Sequence, residues 1–302
     1  MKILITGCCG FIGSHLSRRL SKAHEITGID NLSYGNTDNI KGVVMTFIQG
    51  DICNESLLRN VNVDLIIHLA SQKIPRYDNA YRTLEENSQM NKIILNKCIK
   101  DRSKILFAST SEVYGKNDNY PLNEESDCVF GPPNISRWAY GLSKYWTEQY
   151  ILSMAKQFNL NYLICRFFSV YGKNQASGWW GGVQSAFIEN IKNDIPVSIH
   201  GNGEQKRVFT YVDDLCDAVE LLLSVPENGI YNIAGSSWDE ITMCNLALLL
   251  YKLLNKTPDI NFVSYPENYE DTNRKIPDIS KLLKLGYTPK ISLSEGLKII
   301  LS

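Results

Sequence analysis

The chain is predicted to be an α/β protein built on a doubly wound parallel sheet, with a smaller mixed α/β lobe towards its C-terminus. Three features of the sequence carry that expectation. Short Val/Ile/Leu-rich runs alternate with longer helical patterns through the first two thirds of the chain, the rhythm of a parallel sheet covered on both faces. The first run, Lys2–Thr6, breaks into a turn with glycines at 7, 10 and 13 and then into a helix. After about residue 170 the rhythm changes: Gly, Trp, Pro and Asn become frequent, as in Gly178-Trp179-Trp180-Gly181-Gly182, and the elements shorten.

Taken in order, strands are expected at Lys2–Thr6, Glu25–Ile29, Thr46–Gln49, Leu65–Leu69, Lys104–Ala108 and Asn161–Phe167, each a short, largely apolar run. Helical patterns fall at Ile12–Ala23, Glu55–Arg59, Tyr81–Lys100 and Ala139–Phe158. Phe209–Val225 and Gly229–Ala234 read as a helix and a strand that return to the sheet. The expected division is therefore 1–170 with 209–235 for the sheet domain, and 171–208 with 236–302 for the second lobe.

The bulk properties exclude several classes. The 302 residues suffice for a sizeable core, and 44% hydrophobic with 21% charged residues is ordinary for a globular protein. A formal net charge of −1 offers no basic field for nucleic acid or an anionic membrane. The longest apolar stretches, such as Leu246–Leu254, fall far short of the ~20 residues a bilayer crossing needs. Met1-Lys2 leads straight into a strand pattern, so a cytoplasmic location is expected. Eight cysteines without CxxC spacing are expected to be reduced, and four histidines without ligand spacing give no reason to expect a metal.

The turn from Thr6 to Gly13 has the strand before it and the helix after it that dinucleotide binding requires. Gly7, Gly10 and Gly13 let the backbone turn, approach a pyrophosphate and pack helix on strand, with Phe11 and Ile12 opening the helix whose amides face the phosphates. Asp30, seventeen residues past Gly13 at the end of the second strand, is placed to accept both ribose hydroxyls. A carboxylate there repels a 2′-phosphate, which favours NAD over NADP. Asn31 follows it, and Asp51 and Ile52 after the third strand are placed to contact the adenine.

The chemical end is read from two clusters. Tyr140 and Lys144 lie four residues apart, on one helix face. An ammonium beside a phenol favours the phenolate and makes it a general base for a sugar hydroxyl. The strand Lys104–Ala108 ends in Ser109-Thr110-Ser111-Glu112, at the carboxyl edge of the sheet where such folds bind their ligands.

With these motifs in this order the chain resembles the extended short-chain dehydrogenase/reductases of the NAD-dependent nucleotide-sugar epimerase/dehydratase family, with a Rossmann-type fold. The resemblance covers essentially the whole chain through TGCCGFIG (6–13), IDNLSYGN (29–36), GDI (50–52), HLAS (68–71), STSEVYG (109–115), YGLSK (140–144), RFFSVYG (166–172), FTYVDD (209–214) and NRKIPDISK (273–281). It implies that Thr110 and Ser111 sit beside the reacting sugar, that Tyr140 takes the 4-hydroxyl proton while hydride passes from C4 to NAD, and that Lys144 holds the nicotinamide ribose. It also implies that Leu69, Ala70, Ser71, Ser109 and Phe167 line the cofactor. Lys73, Ser169, Arg207 and Arg274 would meet the substrate, the two arginines at its diphosphate. Ser169 stands where the family usually has Asn, and Val208 where it usually has Asp.

Three functions are compatible with these residues. A UDP-hexose 4-epimerase needs only Thr110, Tyr140 and Lys144. Glu112 resembles the additional acid–base group of UDP-glucuronate decarboxylases and sugar dehydratases. A non-catalytic NAD-binding regulator would have no need of the Tyr–Lys pair. The segments 71–77 and 136–140 and the paired Trp179 and Trp180 resemble a subgroup described as NAD-dependent epimerases. The resemblance further implies a homodimer formed through Tyr81–Lys100 and Ala139–Phe158.

Overall fold

Ile3, Leu4, Ile5, Ile66, Ile67, Ile105, Leu106 and Phe107 are all fully buried. Consecutive residues of a strand point to opposite faces, so such runs must be covered on both sides. The computed structural model describes all residues except 74–78, 237, 238 and 268 and the side chains of Trp179 and Trp180.

The elements run β1 (Lys2–Thr6), α1 (Phe11–Leu20), β2 (Glu25–Asp30), β3 (Thr46–Gln49), β4 (Leu65–His68), α2 (Ala80–Asp101), β5 (Lys104–Thr110), α3 (Trp138–Phe158), β6 (Tyr162–Phe167), β7 (Val170–Tyr171), α4 (Val183–Lys192), β8 (Val197–His200), β9 (Lys206–Arg207), β10 (Thr210–Tyr211), α5 (Val212–Leu223), β11 (Gly229–Ile233), β12 (Ile241–Thr242), α6 (Met243–Leu253), β13 (Ile260–Val263), β14 (Arg274–Lys275), α7 (Ser280–Leu283) and α8 (Leu293–Leu301). Seven strands form one sheet in the order β11-β6-β5-β4-β1-β2-β3, and every pairing in it is parallel. The order reverses between β1 and β4, which makes the carboxyl edge there the crevice for ligands.

The alternation of side chains sorts the core into two layers. Ile3 and Ile5 pack with Leu16 and Leu20 of α1 and with Leu215, Val219 and Leu222 of α5. Leu4, Ile66, Ile105 and Phe107 pack with Ile94 and Leu95 of α2 and with Ile151 and Met154 of α3. A third cluster joins Phe187, Ile191, Val197, Ile199, Leu246, Leu250 and Leu297 from the later elements. No helix among the described residues is long and apolar enough to cross a membrane.

Besides other shifts at element ends, as where α1 closes at Leu20 and not at Ala23, the structure differs from the sequence expectation at three elements. Strand β5 runs two residues further than Ala108, because Ser109 and Thr110 continue the ladder opposite Arg166 and Phe167. The Glu55–Arg59 pattern closes only a single 3-10 turn, Glu55–Leu58. The stretch from Phe209 does not begin as a helix: Thr210 and Tyr211 pair with Val170 and Tyr171, and α5 starts at Val212 with Asp213 and Asp214 at its positive end.

Candidate active site

Strand β1 delivers the chain into Gly7, whose φ of +72° lies in the left-handed region. Helix α1 then closes onto the turn so tightly that a Cβ on Gly13 would stand 2.0 Å from the Gly7 carbonyl oxygen. Asp30, at the end of β2, accepts the amide of Cys9 at 2.9 Å and that of Leu32 at 2.8 Å. The Asn31 amide donates to Asp51 at 2.9 Å, and Asp51 also accepts the Cys53 amide at 2.8 Å. Partial burial pushes the Asp51 carboxyl up, but these donors outweigh it and hold the group below the ordinary carboxylate range.

Gly7, Gly10, Asp30, Asn31, Asp51, Ile52, Leu69, Ala70 and Ser71 surround a pocket of about 160 Å³. Through Gly7, Gly10, Tyr34 and Leu69 it adjoins a larger cleft of about 680 Å³, which Phe11, Ile12, Gly13 and Phe167 also line. The glycine turn and the start of α1 border this space, and Asp30 and Asp51 line the smaller pocket beyond it. Those residues fit a dinucleotide laid with its pyrophosphate on α1 and its adenosine towards β2 and β3.

At the other end of the cleft Thr110, Ser111, Glu112, Tyr140 and Lys144 come together. Thr110 caps the turn Ser111–Tyr114, its hydroxyl oxygen accepting the Glu112 amide at 3.2 Å. Lys144 donates to the Ala108 carbonyl at 2.8 Å and lies 5.9 Å from the centroid of the Tyr140 ring. Burial pushes the Lys144 ammonium down to about 7, although Glu148 on the same helix pulls it up.

Below this pair His68 is fully enclosed. Its Nδ1 lies 2.7 Å from the Thr6 hydroxyl, whose oxygen accepts the Leu69 and Ala70 amides. Its Nε2 lies 2.8 Å from Asn91 Oδ1. The Asn91 amide donates to Thr147 at 2.7 Å, so its oxygen is the acceptor, Nε2 carries the proton and Nδ1 takes the Thr6 hydroxyl. Burial, with Lys144 nearby, pushes His68 down to about 3 and keeps it neutral.

Glu112 is not a free carboxylate. Lys275 donates to its Oε1 at 2.6 Å, and Arg137 lies 3.5 Å from its Oε2. One oxygen of Asp271 is in turn shared by Arg137 at 3.1 Å and Arg207 at 3.0 Å. Opposite charges thus alternate from Lys275 to Arg207, with Glu112, Arg137, Asp271 and Arg207 lining the cleft. Burial pushes Lys275 down to about 8 against the upward pull of Glu112.

One of the predicted site residues, Arg274, is placed differently. Ser109 borders the cleft, and its hydroxyl is given to Glu148 in a short contact. Arg274 does not line the cleft: it pairs with Glu240 at 2.6 and 2.9 Å and stacks over Tyr120. Neighbouring residues of a strand face opposite ways, so in β14 the inward side chain is Lys275. Lys73, Ser169 and Arg207 do line the cleft. Ile74, Pro75, Arg76 and Tyr77 lie outside the described residues, as do the side chains of Trp179 and Trp180. Sequence reasoning missed Lys275, Asp271, Arg137 and His68; only the alternation at 274–275 carried a usable signal for the first.

The two buried lysines make a pH prediction. Their folded pKa values, about 7 and about 8, lie below the value of 10.5 for a free lysine. Between these values the unfolded chain binds more protons than the folded one, so stability rises with pH, by at most about 1.4 kcal/mol per unit for each lysine. Above about pH 8.5 the slope reverses, since burial raises several thiols, Cys9 to about 11 among them, so that the folded chain keeps protons the unfolded one releases. Urea unfolding of NAD-free protein should therefore show stability increasing from pH 7 to about 8, and Lys144→Met should remove part of that increase. A flat profile would contradict the buried ammonium.

A glycine-cradled nucleotide pocket that opens onto a phenol–ammonium pair at the switch point of a parallel sheet defines a dinucleotide-dependent α/β enzyme. Residues 3–234 match the model of the NAD dependent epimerase/dehydratase family, and the chain belongs to that family. Its cofactor is accordingly NAD. The chain is 32% identical to a UDP-N-acetyl-alpha-D-glucosaminuronate decarboxylase of Bacillus cytotoxicus, over 98% of this chain and 95% of the relative. A crystal structure of a UDP-glucose 4-epimerase from Thermotoga maritima with UDP-glucose superposes with a TM-score of 0.90 at 30% identity, covering 100% of this chain and 97% of that one. A UDP-glucuronic acid 4-epimerase from Bacillus cereus, in complex with UDP-glucuronic acid and NAD, gives 0.88 at 29% identity over 99% and 98% of the two chains. The activities of these relatives differ, so they define the nucleotide-sugar family and not one reaction within it.

Proposed function

We propose that this chain is a nucleotide-sugar 4-epimerase, acting on a UDP-hexose through a transient 4-keto sugar. The observation that supports it most is the convergence of Thr110, Tyr140 and Lys144 at the cleft, the whole set that oxidation at C4 and return of the hydride to either face requires. Bound NAD supplies the hydride acceptor. Tyr140 takes the 4-hydroxyl proton as phenolate, stabilised by the Lys144 ammonium, and returns it when the ketone is reduced. Thr110, fixed by the Glu112 amide, orients the hydroxyl. Arg207 meets the diphosphate, while Lys73 and Ser169 face the sugar nucleotide from the cleft wall. Asp30 holds the adenosine ribose.

The lobe made of 171–208 and 236–302 receives the nucleotide end of the substrate, and 1–170 with 209–235 holds the cofactor. Exposed Tyr81, Leu84, Leu142 and Trp146 on α2 and α3, with Trp146 stacked on Tyr150, suit pairing with the same helices of a second copy. Trp146→Glu should then convert a species of twice 34.2 kDa into one of 34.2 kDa by sedimentation. A wild-type monomer refutes the pairing.

The 2.6 Å contact of Lys275 with Glu112 favours a second reading, loss of a C5 carboxylate or of water from the 4-keto sugar, because the first needs a proton donor for the enolate left at C5 and the second a base for the C5 proton with an acid for the departing C6 hydroxyl. Incubation with UDP-glucose, UDP-GlcNAc and UDP-glucuronate, with products identified by NMR, separates the two. An inverted C4 supports the epimerase; carbon dioxide and a pentose overturn it. Glu112→Gln should keep an epimerase within about tenfold of its rate, whereas it would cost the second chemistry about 10²–10⁴-fold.

A further inference from the structure

What the Ser109 hydroxyl meets defines a layer directly beneath the reacting groups. It donates to Glu148 Oε1. Arg166 Nε donates to the same oxygen at 3.0 Å, and its Nη2 reaches Oε2 at 2.6 Å. Lys144, Glu148 and Arg166 are exposed by only 2%, 1% and 3%. A buried ion pair of this kind recovers at best its own desolvation, so stability gives little reason to place one here.

Its geometry gives a better one. Tyr140, Lys144 and Glu148 follow at four-residue steps on one face of α3. Lys144 grips the Ala108 carbonyl at 2.8 Å, and one helical turn further Glu148 grips Ser109, the next residue of β5. Two consecutive rungs therefore fasten the strand that ends in Thr110 to the helix that carries Tyr140. The carboxylate also acts on the Lys144 ammonium through its charge. Among the described residues, other ionisable groups that face this part of α3 are Tyr140 on the same helix, neutral His68 on β4, and Arg166 on β6, which is engaged by Glu148. Glu112, beyond Thr110, is drawn to Lys275.

We propose that Glu148, with Arg166 as its counter-ion, is a positioning residue that locks the end of β5 to α3 and sets its negative charge against the Lys144 ammonium. The inference rests on the proposed pairing of Tyr140 with Lys144, and it holds for either fate of the 4-keto sugar.

The test uses the full chain as Glu148→Gln and as the double variant Glu148→Gln/Arg166→Met. Two quantities are read: the titration midpoint of Lys144 from ¹³Cε-lysine NMR, assigned with Lys144→Met, and kcat and KM on whichever sugar nucleotide the wild type converts. In Glu148→Gln the Lys144 midpoint should fall by about one pH unit or more. At pH 7 kcat should fall at least about tenfold while KM stays within about threefold. The double variant removes the orphaned guanidinium and should recover the thermal stability lost in the single one and, because a positive charge near Lys144 goes with it, part of the midpoint, yet not kcat. If the single variant does not fold, the double variant carries the test. An unchanged midpoint in the folded variants, or a double variant that regains both midpoint and kcat, would reduce Glu148 to a structural role. Failure of the wild type to convert any sugar nucleotide counts against the proposed function, and the Lys144 midpoint still decides the role of Glu148.

Discussion

Tyr140→Phe should leave a folded protein that retains NAD and loses turnover by about 10⁴-fold, the upper end of what a positioned proton-transfer group contributes. The substitution removes one oxygen and keeps the ring. Lys144 stays anchored to the Ala108 carbonyl, and Thr110 stays capped on the turn, so the frame of the site survives. Stability should change by about 1 kcal/mol or less, since the residue is half-buried and the ring stays in place. The rate, the absorbance of co-purified NAD and the melting temperature are read on the same sample. An unchanged rate removes Tyr140 from the chemistry; loss of NAD with the rate would show that the phenol holds the cofactor instead.

Gly13→Ala should abolish cofactor retention. The added carbon would lie 2.0 Å from Gly7 O, 2.8 Å from Gly7 C and 2.9 Å from Cys8 Cα. All three are backbone atoms of the turn, with no flexible side chain to swing aside. Helix α1 must therefore withdraw from the turn and carry its N-terminal amides away from the pyrophosphate. We expect NAD affinity to fall at least about 10²-fold and stability to drop by about 1–3 kcal/mol, the range for forcing an atom into a packed site. Gly42→Ala is the control. Its φ of +75° makes a side chain strained, but nothing lies within 4 Å of the added carbon, so it should cost about 1–2 kcal/mol and leave NAD bound. Equal NAD loss in both variants would show that the cradle at Gly13 is not what matters.

The nucleotide end was legible because its geometry is local. A run buried on both faces, a turn that admits only glycine at its close approach, and a carboxylate at the next strand end are all fixed by spacing along the chain. Tyr140 and Lys144 were legible for the same reason, since the helical period alone puts them on one face. The ladder that extends β5 through Ser109 and Thr110 was not, because it depends on Arg166 and Phe167 of a neighbouring strand.

The sequence by itself thus determined the strands that make the parallel sheet, the dinucleotide turn and the phenol–ammonium pair, all patterns within one element or between successive ones. Tertiary structure decided which charged side chains meet one another at the cleft. Lys275 reaches Glu112 across 163 positions, Arg274 turns outward to Glu240, and Ser109 is claimed by a carboxylate from α3. Such contacts follow from how separate elements pack and from which face of a two-residue strand turns inward. Spacing along the chain encodes neither.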